Sequence, residues 1–143
     1  MIVNVEAAVA RHGCFLMIVR GANEAHAAGA LSMPGGKVEA AAALDDVLEE
    51  TARREVLEEI GLALDSPMHY VESHMFVLDD GTPVVDVVLL CRAPDGEPRI
   101  GSVDEVAAFH WMTAADVARH PRAAPWTVRS IVMAEEKRLA CGW

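Results

Sequence analysis

Pro34-Gly35-Gly36-Lys37-Val38-Glu39, with Arg54-Glu55-Val56-Leu57-Glu58-Glu59-Ile60-Gly61-Leu62 downstream of it, couples a glycine turn to a helix that ends in three carboxylates. At about 100° per residue, Leu48, Ala52, Glu55 and Glu59 fall on one stripe, flanked by Thr51 and Glu58 on one side and Val56 on the other. The stripe starts apolar and turns acidic, while Glu50, Arg53, Arg54 and Leu57 take the far side. Packing alone does not call for that pattern.

A solvated charged face explains part of it, because Glu49–Arg53 and Glu50–Arg54 have the favourable i,i+4 order and Arg54 also reaches Glu58. Glu55 and Glu59 gain no basic partner at that spacing; they are four residues apart and repel. Gly61 is a natural stop in the left-handed region, so Glu58 and Glu59 face the negative end of the helix dipole, at a cost of roughly 0.3–1 kcal/mol each. Local rules broken together at one place mark a functional site. The simplest counter-charge is a divalent metal, and carboxylate oxygens suit Mg²⁺ or Mn²⁺.

Gly36 and the run from Arg54 to Leu62 resemble the signature of the Nudix hydrolases: glycine, five residues, glutamate, seven residues, then Arg-Glu-apolar-x-Glu-Glu-x-Gly-apolar. The second half fits at every position. The first half departs from it: position 42, where the glutamate is expected, is Ala42, and the interval from Gly36 to Arg54 is four residues too long, most simply within Ala40–Leu44. Counting back from Arg54 brings Asp46 to the glutamate's place; Asp46 stands in for it or is an N-cap, with Glu49 at capping-box spacing.

The resemblance implies an α/β fold, an α/β/α sandwich around a mixed β-sheet, with residues 1–143 as a single domain. It also implies a pyrophosphohydrolase acting on a nucleoside diphosphate linked to another group: a nucleoside triphosphate, oxidised ones included, or a nucleotide sugar such as ADP-ribose. By match to the motif, Glu55, Glu58, Glu59 and the Gly35 backbone carbonyl would hold Mg²⁺ or Mn²⁺. Glu58, Glu59 and Glu105 are the candidate catalytic bases, Glu105 because Asp104-Glu105 precedes Phe109–Met112 where the family often carries a further glutamate. An ordinary surface acid is the other reading of Glu105. Arg54 is expected to tie down a carboxylate and the loop.

Two other classes compete with the enzyme. The altered first half suits a non-catalytic Nudix-like nucleotide or metabolite sensor, although retention of Glu55, Glu58 and Glu59 speaks against it. An acidic interaction module without metal is the third.

The net charge is −10, and residues 37–59 hold eight acids against three bases, half of that charge. Such a chain lacks the basic footprint of a DNA or RNA binder, while a free nucleotide brought in by metal remains compatible. Cys14, Cys91 and Cys141 form no disulfide framework or zinc pair, and His12, His26, His69, His74, His110 and His120 are scattered. No membrane partner and a cytoplasmic location are expected, since Glu6 interrupts the apolar N-terminus and no run approaches a span. A homodimer is compatible with the apolar content.

Strands are expected at 2–10, 14–20, 31–33, 69–78, 84–92 and 109–112, and a helix at 46–60. Thr113 caps a short helix to Ala118, and Pro125 opens a last one with apolar recurrence at Ile131, Val132 and Leu139. Trp111, Trp126, Phe76 and Tyr70 are candidates to stack a base, and Arg20 and Arg92 to meet phosphate.

Overall fold

The computed structural model describes residues 1–24, 27–40 and 45–143. The expected insertion at 40–44 lies largely outside them, as do Ala42 and His26. Among the described residues ten elements follow in order: β1 (Ile2–Arg11), β2 (Cys14–Arg20), β3 (Leu31–Ser32), β4 (Gly35–Lys37), α1 (Val47–Ile60), β5 (His69–Val77), β6 (Pro83–Arg92), β7 (Val106–Met112), α2 (Ala114–Arg119) and α3 (Pro125–Cys141).

β1 organises the sheet. Its run Ala7–Ala10 is buried on both faces, as an almost continuous apolar strand with a parallel partner should be. That partner is β6, in register from Ile2↔Val84 to Ala10↔Arg92. The other edge of β1 is shared: antiparallel β4 takes Asn4–Glu6, and β2 takes Ala10 and Arg11. The β1–β2 turn has His12 at φ 49° and Gly13 at φ 76°, the two positive values a two-residue hairpin favours. β2 then pairs with β3 and β7, and β5 closes the far edge against β6, so the sheet is mixed.

Helices cover both faces. α1 buries Ala52, Val56 and Ile60 against Val5, Ala7, Val9, Leu16 and Ile18. On the opposite face, Val117, Ile131 and Ala134 of α2 and α3 pack with Ala8, Phe15, Met17, Val88 and Leu90. Among the described residues no helix is long and apolar enough to cross a membrane.

Several expectations need correction. Gly35–Lys37 is a strand as well as a turn, because the open edge of β1 recruits it. β7 begins at Val106, three residues earlier than expected. Val132 and Leu139 are 41% and 63% exposed, and the inward face of α3 is instead Thr127, Ser130, Ile131 and Ala134. Asp46 is the N-cap of α1, but it sits in the left-handed region and its side chain makes no cap bond, so the capping box with Glu49 is not formed. The box is found at α2, where Thr113 and Asp116 cap reciprocally.

Candidate active site

The acidic end of α1 meets the glycine strand. Glu59 is 4% exposed and belongs to the buried face of the helix with Val56 and Ile60. Its Oε1 accepts the Gly35 backbone N–H at 3.0 Å. A Cβ on Gly36 would fall inside the Glu55 carboxylate, and one on Gly35 would fall on the Val5 carbonyl. Both glycines are therefore needed for β4 to lie between β1 and α1.

Arg54 locks this contact. Its Nη1 donates to Glu55 Oε1 at 2.8 Å and its Nη2 to the Lys37 carbonyl at 2.9 Å, with Glu39 and Glu58 at 3.5 and 3.9 Å. Glu55 thus has a basic partner, at i−1 rather than at the i,i+4 helical spacing. The Glu50–Arg54 pairing gives way to Arg53–Glu50 at 2.6 Å.

The helix ends as expected. Gly61, at φ 72°, donates to the Leu57 carbonyl. Two further terminal carbonyls, of Glu59 and Ile60, accept from Gly101 and Arg99. This brings the segment before β7 to the helix end, and a Cβ on Gly101 would meet the Glu58 carbonyl. Glu105 follows on that segment; it is exposed, and its own carbonyl accepts from the Gly21 N–H at 2.9 Å.

Electrostatics tie the four acids together. Burial pushes the Glu59 carboxyl up to about 8, the charges of Glu55 and Glu105 push the same way, and the Gly35 N–H opposes them. Glu55 is also raised, first by burial, with Glu58 and Glu105 adding and Arg54 opposing. Arg54 at Glu55 and Arg20 at Glu59 offset only part of this, so the cluster stays short of positive charge. Its donors are hard oxygens, the set a divalent cation of the magnesium type takes. The residues therefore fit such an ion in chemistry, although among the described residues no three His, Cys, Asp or Glu side chains are arranged to hold one.

The structure also groups residues that sequence reasoning missed. On the opposite face of β1, Asn4 and Glu6 point with Asp86 of β6 into a cavity of about 390 Å³, whose lining includes Arg20, Lys37, His74, Phe76 and Trp126. Asn4 Nδ2 donates to Asp86 Oδ1 at 2.6 Å. Burial, then the charge of Asp86 and a hydrogen bond with it, raise the Glu6 carboxyl well above the usual range. The available signals were an acid interrupting each of two apolar strands, Glu6 in β1 and Asp86 in β6. Of the four candidate stacking aromatics, Phe76 and Trp126 line this cavity, whereas Trp111 lies under Arg11 and Tyr70 bonds Ser73. Arg20 also lines it, paired with Glu24 at 2.9 Å; Arg92 instead covers Trp143.

A family model described as the NUDIX domain matches residues 3–132. The fold is similar to that of a MutT NUDIX hydrolase from Burkholderia pseudomallei, 28% identical over 92% of this chain and 96% of that one, with a TM-score of 0.77. It is also similar to the E. coli ORF135 protein, 26% identical over 99% and 92%, with a TM-score of 0.69. A third likeness is to the NUDIX domain of Shewanella oneidensis NrtR, solved with ADP ribose, 20% identical over 96% and 88%, with a TM-score of 0.75. No curated protein matches the chain.

Proposed function

From the premise that the chain belongs to the Nudix hydrolase family, we propose that residues 1–143 form one metal-dependent pyrophosphohydrolase domain acting on a small nucleotide. The observation that carries this reading is the docking of Gly35 and Gly36 on the carboxylates of Glu59 and Glu55. It places a backbone carbonyl segment and the acids of α1 together at the edge of β1, beside a cavity large enough for part of a nucleotide. The substrate is a nucleoside triphosphate, oxidised forms included, or a nucleotide sugar; the ADP ribose bound to the NrtR domain supports the second class by analogy only.

In this reading Glu55, Glu58, Glu59 and the Gly35 carbonyl would hold Mg²⁺ or Mn²⁺. The ion, when bound, neutralises phosphate charge and lowers the pKa of a water. The chain's own residues do the rest. Arg54 keeps Glu55 turned toward Gly36 while leaving it ionisable. Glu58, the more exposed of the helix-end pair, and Glu105, on the adjoining segment, are free to approach an attacking water and take its proton, with Glu59 a third candidate. Lys37, on the cavity side of β4, is positioned to meet phosphate oxygens. The same reading includes a cytoplasmic enzyme with no polymer or membrane partner; a homodimer is compatible with it.

The altered first half of the motif, with Ala42 at the expected glutamate and four extra residues between Gly36 and Arg54, favours a second reading, a Nudix-like sensor that binds a nucleotide without cleaving it. The experiment is incubation with a nucleotide panel and Mg²⁺ or Mn²⁺, following phosphate products. Products that vanish with EDTA support the hydrolase. Melting shifts with nucleotide but without products support the sensor.

A further inference from the structure

β5 is the last strand at one end of the sheet, and among the described residues its only strand partner is β6. Its outer edge therefore presents a row of backbone N–H and C=O groups to solvent. The side chains along that edge are unusual. β7, which pairs only with β2, exposes Ala107 and His110, whereas β5 exposes Tyr70, Ser73, Met75, Phe76 and Val77. Met75 and Val77 alternate with His74 and Phe76, which line the cavity, so they project from the opposite side of the strand, where they are 61% and 62% exposed.

An open edge of this length is ordinarily guarded by lysine, proline or a bulge. β5 contains no Lys, Arg or Pro, and its one irregularity, between Tyr70 and Glu72, leaves Ser73–Val77 in regular register with β6. Glu72, the one acid of the strand, is buried and accepts from Ser130 Oγ at 2.5 Å and from Arg129, fastening α3 to β5. A chain of net charge −10 thus has an edge on which no acid is exposed. Two copies can approach there without opposing their carboxylates.

The two ends of the strand differ in charge. Past Val77 the hairpin tip carries Asp79 and Asp80, both exposed. At the start, His69 meets the Trp143 ring edge-on at 5.4 Å. Arg92, two residues beyond Leu90, the ladder partner of His69, is exposed and lies over the same ring at 4.6 Å, with no ion pair among the described residues. Two identical strands paired antiparallel are related by a two-fold axis, so the basic end of each copy meets the acidic end of the other, twice.

We propose that the open edge of β5 is a homodimer interface, two copies of this chain pairing antiparallel about an axis near His74, with Asp79 and Asp80 of each copy beside His69 and Arg92 of the other. The pairing continues the sheet across the axis and brings Ser73 of one copy opposite Met75 of the other. An unrelated peptide could use the same backbone groups, but the charges at the two ends are matched by this chain's own sequence. A single strand pair buries less than the roughly 1,600 Å² of a standard interface, so the dimer is reversible and forms at micromolar concentration.

Sedimentation of the intact chain from about 1 to 300 µM should show a monomer–dimer equilibrium with a Kd on the order of 10–100 µM. Met75→Lys and Val77→Lys place a charge on exposed edge positions; each should keep its melting temperature and weaken the dimer by at least about tenfold. Asp79→Arg should weaken it by about tenfold, since the change is felt at both ends, and adding Arg92→Asp should restore affinity. A monomer at every concentration overturns the proposal, as does a dimer unaffected by both lysine variants. An Asp79→Arg dimer as tight as the parent overturns the antiparallel arrangement. If the variants do not fold, amide exchange of the parent decides. Amides of Ser73–Val77 should exchange more slowly at about 300 µM than at about 5 µM, and equal rates there contradict the interface.

Discussion

Gly36 lies so close to Glu55 that a single methyl group on its Cα would occupy the space of the Glu55 carboxylate. The glycine is there for the acid, and the acid is held there by Arg54 at 2.8 Å.

Gly36→Ala should therefore push Glu55 aside. Overpacking of this kind costs about 1–3 kcal/mol, and the expected result is a lowered melting temperature together with a loss of turnover of at least about tenfold, the low end of what misplacing a reacting group costs. Calorimetry and a product assay on the same sample check both; normal turnover in a folded Gly36→Ala protein would show that the contact is not needed.

Arg54 separates positioning from stability. Its pairs are partly exposed, and such pairs contribute only about 0–1 kcal/mol. Arg54→Lys keeps the charge but loses the two-point hold on Glu55 and the Lys37 carbonyl. Turnover should fall by at least about tenfold with little change in urea midpoint. A large fall in the midpoint would assign Arg54 to stability instead.

Glu59 gives a pH dependence of definite sign. Its folded carboxyl is raised from 4.5 to about 8, so the folded chain binds this proton more tightly than the unfolded chain does. The contribution is fully present below the unfolded value and is lost as pH rises through about 8. In EDTA the melting temperature should fall between pH 6 and pH 9, and Glu59→Gln should flatten that fall. Equal slopes in parent and variant would place the titration elsewhere.

Ser130 tests the fastening of α3. Removing its hydroxyl leaves Glu72 with the exposed Arg129 and one acceptor unsatisfied. Ser130→Ala should cost about 1–3 kcal/mol in a urea titration. A change below a few tenths would mean that water replaces the hydroxyl.

Much of this could be read along the chain because its causes are local. The acidic stripe of α1, the stop at Gly61 and the β1–β2 hairpin each depend on residues within a few positions of one another. The Nudix motif, too, is short and contiguous in its second half. What was not legible depends on distant partners. Gly35–Lys37 becomes a strand only because β1 offers Asn4–Glu6 as an edge, and glycine composition alone suggests a turn. Arg54 turns to Glu55 because the Lys37 carbonyl supplies a second acceptor from outside the helix. On α3 the inward choice of Ser130 over Val132 follows from Glu72, 58 residues away. The Asn4–Asp86 pairing needs the parallel register of β1 on β6, which no periodicity reveals.

The central claim is that the acids at the C-terminal end of α1 perform metal-dependent hydrolysis, and Glu58→Gln and Glu59→Gln assayed beside the parent test it most directly. With Mg²⁺ or Mn²⁺ and the nucleotide panel, the parent should release phosphate products, EDTA should abolish them, and each folded variant should lose more than about a hundredfold in turnover. Turnover within a few-fold of the parent in both variants, or products unaffected by EDTA, would contradict the claim.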